Sequence, residues 1–131
     1  MKAYWDSSAL VEATGDIRLR ARLRSERGIT RTHSLAEIFS ALTGGNLNIR
    51  MDADGAAQVV NNLTADLDFI DLKPDEVTRA LKEAKQRGVR GGRVHDFLHA
   101  VAAEKCRVKD LLTADENDFE HLLDTVSVEQ V

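Results

Sequence analysis

The amino-acid sequence predicts an α/β fold, a three-layer α/β/α sandwich around a central, mostly parallel sheet. Short apolar segments alternate with amphipathic helical segments, which is typical of parallel strands joined by helical crossovers. The composition, 43% apolar and 31% charged, is that of one globular domain over residues 1–131, and no repeat or linker interrupts it. The single cysteine, Cys106, excludes an internal disulfide. Since no secretory signal or membrane-spanning stretch is visible, we expect a cytoplasmic protein.

The first 28 residues predict one strand and two helices. Residues 2–5 form the strand, and Asp6 provides the N-cap of a helix that extends to about Ala13. Residues 16–27 fit two structures, because apolar residues alternate with arginines as in a strand, whereas Ala, Leu and Arg favour a helix. We predict a helix here, ended by Gly28.

The middle of the chain predicts two further strands and two helices. Residues 29–32 form the second strand, and a helix begins at His33-Ser34 and ends at Gly44-Gly45. Apolar residues at i, i+3, i+4 and i+7 give this helix one buried face. They are Leu35, Ile38, Phe39 and Leu42. Another amphipathic helix lies between Asp52 and Asp66, and residues 68–72 form the third strand.

The last part of the chain predicts two helices, a short helical turn and two strands. Lys73-Pro74 opens a helix whose predicted buried positions are Val77, Ala80, Leu81 and Ala84. A loop rich in glycine and arginine, residues 88–92, precedes a helix from Val94 to about Lys105. The remaining elements are a fourth strand over residues 108–113, a short helix near Phe119 and a fifth, edge strand over residues 125–128.

Four acidic residues lie where strands give way to helices. Asp6 follows the first strand and Asp115 the fourth; Glu37 and Asp96 lie early in the helices after the second strand and before the fourth. The carboxyl ends of parallel strands meet at one edge of a sheet, so we expect all four in one crevice. Carboxylates gathered in this way need a cation to stay ionised, and oxygen ligands suit Mg²⁺ or Mn²⁺. The sequence therefore predicts a metal centre for phosphate chemistry.

Three of the four acids also have a structural explanation, and Asp96 is the least easily explained in this way. Asp6 and Asp115 would serve as helix N-caps, and Glu37 completes a capping-box pattern with Ser34. The net charge of −4 argues against a nucleic-acid binder driven by overall charge. Basic residues nonetheless concentrate in residues 18–31 and 82–93, as a solvated surface or as contacts to an RNA backbone, for which Arg93 is one candidate.

The four acids lie in segments that resemble the signature blocks of PIN-domain ribonucleases. The similarity is strongest to the toxin subunits of type II toxin–antitoxin pairs, the virulence-associated protein C group. It covers essentially the whole chain, and four blocks in the right order are more specific than any one. The segments are Tyr4–Leu10, Ser34–Ile38, Val94–Ala100 and Leu111–Asp115.

The resemblance implies a PIN-like sandwich and a Mg²⁺- or Mn²⁺-dependent endoribonuclease, the toxin of a toxin–antitoxin pair. It also implies a small antitoxin partner and a homodimer. The family's catalytic metal ligands carry over to Asp6, Glu37, Asp96 and Asp115, with Asp118 competing for the fourth place. The supporting hydroxyls carry over to Ser7 and Thr113.

Other functions compete with this hypothesis. His95 and His99 flank Asp96 as in a zinc-peptidase HExxH motif, although no third ligand stands out. The simpler expectation is that His95 is a partly exposed helix residue and that His99 packs near the site. A non-catalytic PIN-like module that binds RNA or protein, and a solitary RNA-processing nuclease, also stay open. The presence of all four acids favours a nuclease, but the sequence does not name its RNA.

Overall fold

In the computed structural model, which describes residues 2–45 and 50–131, five strands form one sheet in the order β3-β2-β1-β4-β5. Every neighbouring pair is parallel, so the predicted α/β class and mostly parallel sheet are confirmed. The strands are β1 (Ala3–Trp5), β2 (Gly28–Arg31), β3 (Leu67–Ile70), β4 (Asp110–Thr113) and β5 (Ser127–Gln130). The helices are α1 (Ser7–Gly15), α2 (Ile17–Glu26), α3 (Ser34–Gly44), α4 (Ala53–Thr64), α5 (Pro74–Lys82) and α6 (Arg93–Cys106), with a 3-10 helix at Glu116–Phe119.

Two apolar cores cover the two faces of the sheet. Successive residues of a strand point to opposite faces, so Trp5 and Leu112 pack against α1 to α4, whereas Tyr4 and Leu111 pack against α5 and α6. This division gives the three layers that the sequence predicts. In the described residues, no helix combines the length and the apolar character needed to cross a bilayer.

The order of the strands explains why helices cover both faces. The chain moves outward from β1 to β2 and β3, then returns through α5 and α6 to place β4 on the other side of β1. Right-handed crossovers in opposite directions must lie on opposite faces of a sheet. The strands β1 and β4 are parallel, but the order in which strands are added to the sheet reverses between them. A crevice opens at this switch point, at the carboxyl ends of the two strands.

The ambiguous residues 16–27 form a helix, as predicted. The Asp16 side chain caps α2 by accepting hydrogen bonds from the N–H groups of Arg18 (2.9 Å) and Leu19 (3.0 Å). Leu23 is fully buried and lies against the start of β2. A Cβ atom at Gly28 would lie 2.7 Å from the Trp5 ring and 2.9 Å from Leu23, so only glycine fits there.

Several arginines of the first basic segment stabilise the fold. Three of them form ion pairs that join α2 and the residue after it to the start of β3 and to β5. The pairs are Arg20 with Asp66, Arg22 with Glu129 and Arg27 with Asp68. Asp66 precedes β3 and Asp68 lies near its start, so two of these pairs lie at the edge of the sheet opposite the crevice.

The fifth strand begins two residues later than predicted, at Ser127 rather than residue 125. The reason is Glu104 of α6, whose carboxylate accepts hydrogen bonds from the backbone N–H groups of Asp124, Thr125 and Val126. Because these N–H groups are bound to a side chain, they are not available to pair with β4. The strand starts only where backbone pairing is free to begin.

The prediction that Leu81 is buried is wrong, because 45% of its surface is exposed. Helix α5 ends at Lys82, one residue after Leu81, and its buried residue is Ala80. Leu81 lies about 100° around the helix from Ala80 and therefore faces solvent.

The substitution Glu104→Gln should lower the free energy of unfolding by about 1 kcal/mol near neutral pH, because charge-assisted hydrogen bonds to a partly exposed turn are lost. These hydrogen bonds outweigh burial and hold the pKa of Glu104 below its usual value. The contribution should therefore be present above the unfolded-state pKa and be lost as the pH falls through the lowered pKa. Urea denaturation measures it, with Glu83→Gln as the exposed control. Equal losses in both variants would contradict the role of Glu104.

Candidate metal centre

The four predicted acids lie at the crevice edge of the sheet. Asp6 follows β1 and Asp115 follows β4, the two parallel strands between which the order of strand addition reverses. Glu37 lies in the first turn of α3 and Asp96 in the first turn of α6. Since both helices start at this edge, four separate elements each contribute one carboxylate.

Asp6 is held by a hydrogen-bond network that joins β1 to β4. Its Oδ1 atom accepts from the backbone N–H of Ala9 (2.8 Å), which caps α1, and from the hydroxyl of Ser8 (2.7 Å). Ser8 Oγ also lies 3.2 Å from the Thr113 hydroxyl and accepts from the N–H of Ala114 (2.9 Å). Both hydrogen bonds that the Asp6 carboxylate accepts in the described part of the chain end on Oδ1. The capping role therefore leaves Oδ2 available to a cation.

Ser8 is a site residue that the sequence analysis missed. We predicted supporting roles for Ser7 and Thr113, and Thr113 is indeed part of the network. Ser8 makes the contacts that connect Asp6, Thr113 and Ala114. The signal available was the pair of serines directly after Asp6, but the second one could not be assigned to β4 without its position in space.

Glu37 is bound on both oxygens. Oε1 accepts from Nε2 of His99 (3.0 Å), and Oε2 accepts from the Ser7 hydroxyl (3.4 Å). The capping box predicted for Ser34 and Glu37 does not form, because the N-cap of α3 is His33, whose side chain makes no capping hydrogen bond. The Ser34 hydroxyl instead lies 2.7 Å from that of Thr30 in β2. Glu37 is therefore free of a capping role and faces the crevice.

His99 lies deeper than the sequence indicated. Only 1% of its surface is exposed, and its Nδ1 atom lies 2.7 Å from the hydroxyl of Tyr4, a residue of β1 that is fully buried. The expectation that His99 packs near the site is confirmed, but its direct bond to Glu37 was not foreseen. His95, one turn earlier, is exposed and stacks on His33 with ring centroids 6.0 Å apart. The two histidines of the HExxH-like pattern thus have different partners.

Asp96 shows the strongest electrostatic effect among the acids. Burial, followed by the charges of Asp118 and Asp6, raises the pKa of Asp96 to about 6, with a further contribution from Glu37. Glu37 shows the opposite behaviour. Burial raises its pKa, but the hydrogen bond and charge of His99 outweigh burial and hold the pKa of Glu37 below its usual value. Asp6, Glu37 and Asp118 are therefore near enough to Asp96 for their charges to act on it.

The fourth acid has two candidates in the structure. Asp115 is exposed, and its Oδ1 caps the 3-10 helix by accepting from the N–H of Asn117 (3.0 Å). Asp118 is also exposed, but its charge acts directly on Asp96. Burial and the charges of Asp115 and Asp6 raise the pKa of Asp118. Both remain candidate ligands, and the capping role predicted as an alternative for Asp115 is confirmed.

Arg93 binds the protein itself. Its Nη2 donates a hydrogen bond to the backbone carbonyl of Glu120, which joins the start of α6 to the segment after the 3-10 helix. Its charge offsets part of the rise in the pKa of Asp118 that burial and the charges of Asp115 and Asp6 cause. Arg93 therefore supports the acidic crevice, and its predicted contact with RNA stays a prediction.

An open cleft of about 510 Å³ leads to one side of the acids. Its walls include Ser7, Glu37, His33 and His95. Within residues 2–45 and 50–131, no three histidine, cysteine, aspartate or glutamate side chains are arranged closely enough to hold a metal ion. The charges of Asp6, Asp118 and Glu37 still act on Asp96, and this effect extends further than a coordination bond. The donor set suits a hard cation, and the acids would have to approach one another to enclose it.

A second groove, of about 450 Å³, lies away from the acids. It runs along the corner between α1 and α2 and beside α4, and its walls include Ala13, Val59 and Leu63. Ile17, at this corner, is 89% exposed. The groove is mainly apolar and contains none of the four acids, so we do not assign the chemistry to it.

Comparison with known proteins supports the fold. No family model matches the sequence, and no curated protein matches it either. Among solved structures, the chain is similar to VapBC2 from Rickettsia felis, determined bound to a DNA fragment from their promoter (TM-score 0.70, 16% identity, 99% of this chain and 98% of that one). It is also similar to PAE2754 from Pyrobaculum aerophilum (TM-score 0.66, 17% identity, 98% of this chain and 89% of that one). At such identities the likeness shows the fold, and the PIN-like three-layer α/β/α sandwich is confirmed.

The substitution Asp96→Asn should stabilise the metal-free protein. Between the ordinary carboxyl pKa and about 6, folded Asp96 binds more protons than unfolded Asp96, so its contribution to stability falls as the pH rises. We expect Asp96→Asn to raise the free energy of unfolding by about 1 kcal/mol at about pH 7.5, after allowance for partial exposure, and by almost nothing at about pH 4.

Denaturant titration with a chelator at both pH values measures this difference. Asp54→Asn, an exposed aspartate also in the first turn of a helix, is the matched control and should not stabilise the protein. A gain for Asp96→Asn that is the same at both pH values would show that charge repulsion is not its cause.

Proposed function

We propose that this protein is a metal-dependent endoribonuclease that cleaves RNA phosphodiester bonds. The observation that carries the proposal is that carboxylates from four elements converge at the carboxyl ends of β1 and β4, where the order of strand addition reverses. Burial and then the neighbouring acids raise the pKa of Asp96, so a positive charge beside it would favour its ionised form. A divalent cation would supply that charge, and a polynucleotide could approach through the open cleft beside Glu37.

The proposed ligands are Asp6 through its Oδ2 atom, Glu37, Asp96 and one of Asp115 and Asp118. All are hard oxygen donors, which favours Mg²⁺ with Mn²⁺ as a substitute. A bound ion of this kind would lower the pKa of a coordinated water and neutralise charge on the phosphate. Before binding, Asp96 must lose its proton, so metal affinity should decline below a pH of about 6.

The residues of the crevice have distinct roles in the proposed hydrolysis. Glu37, kept ionised by its hydrogen bond to His99, and Asp6 orient the attacking water. Asp96 is suited to accept the water's proton, because burial and the neighbouring acids raise its pKa to about 6. The water oxygen bonds to phosphorus in line with the departing 3′ oxygen, which leaves a 5′-phosphate and a 3′-hydroxyl.

The cleft beside Glu37 is the proposed path of the RNA. It is open to solvent, and the faces of His33 and His95 offer surfaces on which unpaired bases stack. Arg20 and Arg27 form their ion pairs at the opposite edge of the sheet, near the start of β3. They are therefore poor candidates for contact with the scissile RNA strand.

We further propose that the nuclease is the toxin of a toxin–antitoxin pair, acts in the cytoplasm, and forms a homodimer. The support is the segment resemblance to virulence-associated protein C toxins and the likeness in fold to VapBC2. The apolar groove beside the exposed Ile17 is consistent with a protein partner. A solitary RNA-processing nuclease would share the same chemistry without the partner, and co-purification with the product of an adjacent small gene separates the two.

The variants Asp6→Asn and Asp96→Asn should each reduce cleavage of RNA by about 100-fold or more, because each loses a charged metal ligand. Asparagine at position 6 can still cap α1, so the fold should survive. Total transfer and ribosomal RNA, incubated with Mg²⁺, Mn²⁺ or a chelator, provides the assay, and end-labelling identifies the 5′-phosphate. Glu12→Gln, an exposed acid of α1, is the control.

Full magnesium-dependent cleavage by Asp96→Asn would sink the proposal. Sequence-tolerant RNA binding without cleavage in the wild type would instead favour the non-catalytic binding module.

Asp118→Asn should impair cleavage more than Asp115→Asn does. The charge of Asp118 acts directly on Asp96, whereas one oxygen of Asp115 is already used to cap the 3-10 helix. The measurement is kcat at a series of Mg²⁺ concentrations for both variants. A larger loss in Asp115→Asn would assign the fourth ligand to Asp115.

A further inference from the structure

A buried chain of three side chains lies beneath the crevice. The hydroxyl of Tyr4 lies 2.7 Å from Nδ1 of His99, and Nε2 of His99 lies 3.0 Å from Oε1 of Glu37. Each member belongs to an element that carries a proposed ligand or directly precedes one. Tyr4 is two residues before Asp6, and His99 is one helical turn after Asp96. The chain therefore connects β1, α6 and α3 below the site.

The chemistry of the groups determines the direction of the hydrogen bond between His99 and Glu37. An ionised carboxylate only accepts, so Nε2 of His99 must carry the proton and donate to Glu37. The Tyr4 hydroxyl can donate to or accept from Nδ1 of His99, so it holds that nitrogen in place on the far side of the ring. The Tyr4 and His99 rings also meet edge to face, with centroids 5.7 Å apart and planes at 66°. The imidazole is therefore fixed in position, with its Nε2–H directed at Glu37.

A histidine that only fills the core would usually bond to a backbone carbonyl or to a polar group remote from the site. His99 bonds to a carboxylate that faces other carboxylates, although its own surface is only 1% exposed. Glu37 is bound on its other oxygen by Ser7 (3.4 Å), so both ends of the carboxylate are engaged. Such an arrangement fixes the orientation of the carboxylate and leaves its remaining lone pairs to the crevice.

We propose that His99, braced by Tyr4, is a positioning residue that orients the Glu37 carboxylate for the metal. The inference rests on the proposed function, because it assigns a role in assembling that same site. His99 acts through Glu37 and does not touch the substrate. Partners of this kind, which hydrogen-bond to a metal ligand, commonly contribute 10- to 100-fold to metal affinity or activity.

Three variants separate positioning from packing. His99→Leu keeps an apolar side chain but removes both hydrogen bonds. His99→Gln keeps an N–H donor that can reach Glu37, and Tyr4→Phe removes only the hydroxyl that braces the imidazole. Val101→Ala, a partly buried position on the same helix and in the same apolar core, is the control for lost packing.

The first measurement is Mn²⁺ affinity without RNA, by electron paramagnetic resonance of free Mn²⁺. We expect His99→Leu to weaken Mn²⁺ binding by about 10- to 100-fold and His99→Gln to weaken it by clearly less. The loss in Tyr4→Phe should lie between those two. Val101→Ala should bind Mn²⁺ as the wild type does. In RNA cleavage, kcat should fall in the same order while KM changes by no more than about threefold.

Wild-type Mn²⁺ affinity in His99→Leu, or an equal loss in Val101→Ala, would overturn the inference. A switch in preference from Mn²⁺ to Mg²⁺ in His99→Gln would also overturn it, because His99 would then be a ligand itself. If His99→Leu does not fold, Mn²⁺ affinity in His99→Gln and Tyr4→Phe provides the test. A larger loss in Tyr4→Phe supports the inference, and wild-type affinity in both variants overturns it. If the wild type neither binds Mn²⁺ nor cleaves RNA, the proposed function fails; if it does both and His99→Leu matches it, only the positioning role fails.

Discussion

The pairing of β1 with β4 is the constraint on which the rest of the site depends. These strands lie side by side, yet the helices that follow β1 and the helix that precedes β4 cover opposite faces of the sheet. The crevice between them receives Asp6 from one strand and the segment with Asp115 and Asp118 from the other. Ser8 joins the two sides through Thr113 and Ala114, so strand pairing and site geometry are maintained by one hydrogen-bond network.

Two acids in this crevice have opposite environments. Glu37 receives a hydrogen bond from His99 and the charges of two further histidines, which hold its pKa low against burial. Asp96 is affected mainly by burial and by other acids, which raise its pKa to about 6. One carboxylate is therefore ionised in the metal-free protein near neutral pH with little penalty, and the other is ionised at a cost to stability. Groups whose pKa values are separated in this way commonly have different roles in a reaction.

The structural and chemical explanations of the acids are not exclusive. Asp6 caps α1 with one oxygen and keeps the other available, so the cap predicted from the sequence also aims the carboxylate. The pattern at Ser34 and Glu37 shows the converse. A capping box needs both side chains at the helix start, but the Ser34 hydroxyl bonds to Thr30 and Glu37 bonds to His99. In each case a partner in another element, β2 or α6, outcompeted the partner at the helix start.

The sequence by itself determined the order of strands and helices along the chain, the α/β class, and the placement of acids at strand ends and helix starts. These follow from local patterns: alternation in strands, i, i+3, i+4 spacing in helices, and caps such as Asp16. Only the tertiary structure decided that β5 begins after the turn bound by Glu104, that Leu81 faces solvent, and that Glu37 is held by a histidine 62 residues away. The physical reason is the same in each case. Which groups meet across the core depends on how whole elements pack, and periodicity along the chain carries no information about that.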